Sequence, residues 1–113
     1  MKDTAGDDIQ GAMEMLDSRF IKSIIGIHCI AMIAKGHKHG YEMIKHLEEN
    51  HRMRISAANL YTVLDKLDGD GYIKGRWEHE DGKPDKRVYT ITPKGKMLFK
   101  LAKNRLKNFI TDL

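Results

Sequence analysis

Residues 40–50 read GYEMIKHLEEN, residues 56–77 SAANLYTVLDKLDGDGYIKGRW, and residues 80–95 EDGKPDKRVYTITPKG. In the first segment Tyr41, Ile44 and Leu47 recur at helical spacing, which predicts a short helix with those three turned inward. Asn50 to Ile55 is polar and basic and serves as a turn. Ser56 is placed to cap a second helix by accepting from the amides that follow it. Leu60, Leu64 and Leu67 then repeat at i, i+4, i+7 as the buried stripe of that helix, and DGDG at 68–71 stops it. Tyr72 to Glu80 alternates and predicts a strand. Asp81, Gly82 and Pro84 are turn residues, and Arg87 to Thr92 alternates again with Tyr89 and Ile91 on one face. Thr92 and Pro93 suit the cap and first position of a last helix.

That order, helix, turn, helix, hairpin, is a winged helix-turn-helix, and it points to binding and not to catalysis. Upstream, one apolar stripe runs Phe20, Ile24, Ile27, Ala31, Ala34 and another Ile21, Ile25, His28, Met32, so the first helix is apolar over most of its circumference. A core of this size cannot bury such a helix on all sides, and a partner subunit would cover the second stripe. Asp17 and Ser18 are candidate caps, helical character is expected to begin between Ile9 and Asp17, and Gly36 ends it. The last helix has an apolar stripe of Leu98, Ala102, Leu106, Phe109 and Leu113 opposite Lys96, Lys100, Lys103 and Lys107. The expected fold is mainly α with a small β-hairpin. Its expected parts are a partly disordered extension (1–16), a winged-helix domain (17–93) and a C-terminal dimerisation helix (94–113).

The 113 residues carry a formal net charge of +4, but from Gly82 to Leu113 nine Lys/Arg face two Asp, leaving the rest of the chain at −3. A basic segment on an acidic body suits a polyanion. The longest apolar run, 24–34, has 11 residues and is too short to span a bilayer. The polar start MKDTAGDD lacks the features of a secretory leader, so a cytoplasmic protein is expected. The single cysteine, Cys29, excludes an internal disulfide and reads as a small buried hydrophobe.

With the leucines of the second helix buried, its opposite face carries Ala58, Asn59, Thr62 and Lys66. Small residues allow close approach to a major groove. Asn can pair with adenine, Thr can touch a thymine methyl or a phosphate, and Lys can reach a phosphate or guanine. Ser56 and the helix N-terminus offer a phosphate site. The hairpin tip brings Lys83, Pro84, Lys86 and Arg87 onto a short projection that suits the DNA backbone, although Asp85 interrupts the positive run.

The segments HGYEMIKHLEE (39–49), Ser56 with Leu60-Tyr61 and Leu64–Leu67, DGYIKGRWE (70–78) and GKPDKRVYTITPKG (82–95) resemble the PadR family of winged-helix transcriptional regulators. The resemblance covers about residues 17–113. Members usually read S-P-G-x-L-Y-P where this chain has Ser56 to Thr62; both prolines and the glycine are missing, so no operator sequence transfers. The resemblance implies that Tyr61 and Tyr41 lie near the DNA backbone and that Lys86 and Arg87 are basic wing positions. It also implies that the last helix packs on the first helix of a partner. The expected dimer interface is therefore Phe20, Ile24, Ile27, Leu98, Leu106 and Phe109. The expected partners are a second copy and double-stranded DNA with a pseudo-palindromic operator. Met13, Met15 and Met32 at the dimer seam would offer an adaptable pocket for a small apolar effector.

No nucleophile motif, glycine-rich phosphate loop or H-E-x-x-H is present, and neither an enzyme nor a cofactor is expected. No metal site is expected: His37-Lys38-His39 lacks a partner nearby in sequence, and His28 reads as a core or interface residue. Trp77 is expected to cover the base of the hairpin, the alternative being that it lines an effector pocket. The rival reading of the chain is a winged-helix module that binds protein and not DNA.

Overall fold

A computed structural model describes residues 4–113, apart from the side chains at positions 4, 5, 7, 17, 18 and 20–23. The elements are α1 (Thr4–Ala34), α2 (Gly40–His51), α3 (Ala57–Gly69), β1 (Ile73–Glu78), β2 (Lys86–Ile91) and α4 (Pro93–Thr111). Helix α1 begins well before the predicted start, so Asp17 and Ser18 lie inside it and do not cap it. The strong helix formers Ala12 to Leu16 carry the helix without a break through the two expected caps. The side chain of Phe20, expected at the dimer interface, lies outside the described residues.

Gly36 ends α1 as expected. Its φ of +103° is left-handed, and the His37 amide donates back to the Met32 carbonyl at 3.0 Å. Ser56 caps α3, its hydroxyl accepting from the Asn59 amide at 3.1 Å, and Thr92 caps α4 by accepting from the Gly95 amide at 3.1 Å. Strands β1 and β2 form a two-stranded antiparallel hairpin from Ile73↔Ile91 to Glu78↔Lys86. The Tyr89 amide also donates to the Lys38 carbonyl at 3.0 Å, tying the wing to the loop before α2.

The core gathers Ile25, Cys29, Ile30, Met32 and Ile33 of α1, Met43 and Leu47 of α2, Leu60 and Leu64 of α3, and Ile73 and Tyr89 of the hairpin. Burial pushes the Cys29 thiol up to about 12, which suits the expected apolar role. Tyr41 does not turn inward: it is 57% exposed, and Met43 takes the buried place. The helix starts at Gly40, and packing selects Gly40, Met43 and Leu47, one residue before the expected Tyr41 and Ile44. Ile24 and Ile27 are only half-buried. The methionine pocket does not form within one protomer. Met32 is in the core, whereas Met13 and Met15 are exposed on α1, and the 19 helical rises from Met13 to Met32 span about 28 Å.

The first turns of α4 belong to the same core, since Leu98 and Phe99 pack against it. Beyond them Leu106, Phe109, Ile110 and Leu113 are exposed. The Cα radius of gyration is 17.0 Å, against roughly 13 Å for a compact chain of this length. The excess reflects apolar helix ends that leave the body of the protomer.

Candidate nucleic-acid interface

Helix α3 exposes the face that the leucine stripe predicts. Ala57, Ala58, Asn59, Tyr61, Thr62 and Lys66 all face solvent. Asn59's side chain has no hydrogen-bond partner among the described residues and is free to read an edge. Thr62 is different: its hydroxyl donates to the Ala58 carbonyl at 2.9 Å, so it presents its methyl and its lone pairs outward. Lys66 lies 3.5 Å from Asp70, both exposed, a contact too weak to withhold the ammonium from a phosphate.

Tyr61 lies over the start of α2. A Cβ placed on Gly40 would sit 2.6 Å from the Tyr61 hydroxyl oxygen, so glycine is what lets the phenol cross the helix start. Tyr41 stands beside it, its ring stacked on His39 at 5.5 Å and 10°. His39 in turn contacts the Arg87 carbonyl through Nδ1 at 3.3 Å. A cleft of about 410 Å³ results between α3 and the wing, lined by Tyr41, Tyr61, Trp77 and Tyr89 with Asp65, Lys86 and Arg87 among the polar walls.

Three features of the wing depart from the sequence reading. Trp77 is 66% exposed and lines this cleft, so it does not cover the hairpin base. It pairs across the ladder with Arg87, whose guanidinium carbon lies 5.6 Å from its ring. Arg87 is not a free phosphate contact. Its Nη2 donates to Asp68 Oδ2 at 2.8 Å, with both side chains mostly buried, and the same carboxylate oxygen accepts from the Gly75 amide at 3.3 Å. The tip is also less positive than its central residues suggest. Lys83 pairs with Glu80 at 3.3 Å, and His79 bridges Asp85 (2.7 Å) and Asp81 (3.2 Å). From Glu78 to Arg87 three Lys/Arg meet four Asp/Glu. Pro84 is exposed at this tip, and Lys86 is exposed with no ion-pair partner among the described residues.

Lys74 and Arg76 on β1 were passed over by the sequence reading. They are exposed, without ion-pair partners among the described residues, and their alternation with Ile73, Gly75 and Trp77 was the available signal. Asp65 was also missed; it places a carboxylate on the exposed side of α3, in the cleft and away from the helix N-terminus. Deep in the cleft, burial pushes the Tyr89 phenol up to about 12, so it remains protonated at every physiological pH.

The Asp68–Arg87 tie has a measurable consequence. Asp68→Ala is expected to destabilise the fold by about 2 kcal/mol, between the ~0–1 kcal/mol of an exposed pair and the ~3–5 kcal/mol of a fully buried one. A double-mutant cycle with Arg87→Ala, read by urea unfolding, should give a coupling of about 1 kcal/mol or more. Additive losses would show that the two side chains stabilise the wing independently.

The sequence profile of the Transcriptional regulator PadR-like family matches residues 29–101. The chain belongs to the PadR-like family of transcriptional regulators. This PadR-like chain is 30% identical over 77 residues to the transcriptional regulator Rv3488 of Mycobacterium tuberculosis, covering 68% of this chain and 70% of that protein. Its fold is similar to a PadR family regulator from Eggerthella lenta (TM-score 0.76, 19% identity, 97% of this chain and 93% of that one). It is also similar to Bacillus subtilis PadR in complex with operator DNA (TM-score 0.62, 24% identity), covering 68% of this chain and 45% of that chain. The PadR-like assignment explains the open face of α3, which in a winged helix is the face left free for a groove. Among the described residues no helix is long and apolar enough to cross a membrane.

Proposed function

We propose that this chain is a dimeric repressor that binds a pseudo-palindromic operator in the cytoplasm. The observation that carries the reading is the α3 face, where small residues surround an uncommitted Asn59 and a Thr62 methyl while the leucines hold the helix to the core. Asn59 supplies base readout and Thr62 an apolar contact to a thymine methyl. Ser56 and the α3 amide ends receive a phosphate, with Lys66, Tyr41 and Tyr61 along the same backbone. In the wing, Lys86 is the principal phosphate contact and Lys83 the next, whereas Arg87 positions β2 through Asp68. Two copies would place their α3 helices about one turn, on the order of 34 Å, apart. A small apolar effector fits the aromatic cleft beside α3, where it would oppose the DNA-bound pose of the wing. The protein-binding alternative is not favoured, because such modules present an acidic or apolar face where this chain presents Asn, Thr and Lys.

The test is fluorescence anisotropy with a duplex from the protein's own upstream region and a scrambled duplex, each at about 50 and 200 mM salt. Tight binding to the native duplex that survives the higher salt is expected. Asn59→Ala should lower affinity for that duplex by about 1–3 kcal/mol and narrow its advantage over the scrambled one. Lys83→Ala with Lys86→Ala should flatten the salt dependence by up to about two phosphate contacts without changing base preference. No binding to either duplex at the lower salt would discard the DNA-binding reading.

A further inference from the structure

Four histidines scattered between positions 28 and 51 converge beside α1 and α2. His28 comes from α1, and His46 and His51 come from the C-terminal half of α2. Ring centroids lie 5.0 Å apart for His28 and His51, 6.2 Å for His28 and His46, and 5.8 Å for His46 and His51. One ring nitrogen from each of the three falls within 4.8 Å of the others. His37, in the loop after α1, brings its ring to 4.7 Å from that of His46. Its sequence neighbour His39 turns away to the wing, so the apparent H-x-H pair is split between two places.

We propose that His28, His46 and His51 form a binding site for a first-row divalent transition-metal ion of the Zn²⁺ class, with His37 in reach as a fourth ligand. Three neutral imidazoles suit zinc, cobalt, nickel or copper and do not suit calcium or magnesium, which take oxygen ligands. Zn–N bonds of ~2.0–2.1 Å in a tetrahedron put the ligand nitrogens roughly 3.3 Å apart, so the cluster must draw together by up to about 1.5 Å. Side-chain rotation suffices for that, because His51 is exposed and His28 and His46 are only half-buried. Asn50 already contacts His46 Nδ1 at 3.1 Å. The Asn50 Nδ2 that makes this contact also donates to the His46 carbonyl at 3.1 Å, which fixes the amide's orientation and makes Nδ1 the acceptor of that contact.

The charges around the cluster favour the ligating form. Burial lowers the His28 pKa, and His51, His46 and Lys35 lower it further. Partial burial lowers that of His46, aided by His37, His51 and Lys35 and opposed by Glu49. Both shifts favour the neutral imidazole over the imidazolium, and the neutral ring is the form that ligates. Glu49 is the one carboxylate among these influences and would offset part of the metal's charge. A bound ion would fasten the end of α2 to α1. The spacing hides all this: five residues on a helix separate two side chains by about 140°, so His46 and His51 do not share a face in sequence, and His28 joins them only through packing.

Untagged protein titrated with Co²⁺ and then with Zn²⁺ tests the site. Expected are visible Co²⁺ bands that saturate at one ion per chain and disappear as Zn²⁺ displaces the cobalt. His51→Gln alters an exposed side chain and should keep the native circular dichroism while weakening Zn²⁺ binding by tenfold or more in calorimetry. His28→Gln should do the same, and His79→Ala, at the wing tip, should leave it unchanged. Absence of saturable binding, or the same affinity in the folded His51→Gln and His28→Gln variants, would overturn the proposal.

Discussion

Leu106→Asp combined with Phe109→Asp is expected to convert the proposed dimer to a monomer and to weaken binding to the proposed operator by about 10²–10⁴-fold, the usual worth of linking two binding modules. Within the protomer Leu106 is 37% and Phe109 70% exposed, and neither packs against the buried core. Ile110 and Leu113 continue the same exposed apolar end of α4. A monomeric soluble chain does not ordinarily leave such a stripe in water. The half-exposed Ile24 and Ile27 of α1 offer the complementary apolar surface. Sedimentation equilibrium at micromolar concentration reads the mass, and anisotropy at the same concentrations reads the affinity. A double variant that still sediments as a dimer would move the seam away from the end of α4 and leave the DNA-binding proposal standing.

Among the described glycines, Gly95→Ala is expected to be the most destabilising change to alanine. A Cβ at that position would lie 2.0 Å from the Tyr72 carbonyl oxygen and 3.0 Å from Ile91 Cγ1. The neighbouring Thr92 hydroxyl contacts the Gly71 carbonyl at 2.6 Å and the Tyr72 carbonyl at 3.0 Å, so the backbone it meets is held in place. Alanine favours the helix interior by about 0.5–1 kcal/mol over glycine. Overpacking costs about 1–3 kcal/mol, and here the obstacle is backbone and not a movable side chain. A net loss of about 2 kcal/mol follows, with Tm lower by roughly 5–15 °C at a fixed protein concentration. Urea unfolding should show a lower midpoint with an unchanged slope. Stability equal to the parent would mean that the start of α4 slides freely along the hairpin.

The candidate site was legible in unequal parts. Asn59, Thr62 and the rest of the α3 face followed from Leu60, Leu64 and Leu67, because a helix with one face buried has its opposite face determined. Tyr41 was misplaced because a 12-residue helix permits more than one apolar stripe, and only contact with α3 selected Met43. Trp77 was misplaced because alternation says which residues share a strand face but not whether anything covers that face. Arg87 reads in the sequence as a basic wing position, and only the structure shows that Asp68, 19 residues earlier, pairs with it.

The sequence by itself determined the order of elements, the caps at Ser56 and Thr92, the helix stop at Gly36 and the family. Those features depend on residues within about four positions of one another or on contiguous motifs. Tertiary structure alone decided which cations remain free, where Trp77 points and that four histidines meet. Charge pairing and ligand convergence act through space between residues far apart in the chain, and a one-dimensional pattern holds no record of those distances.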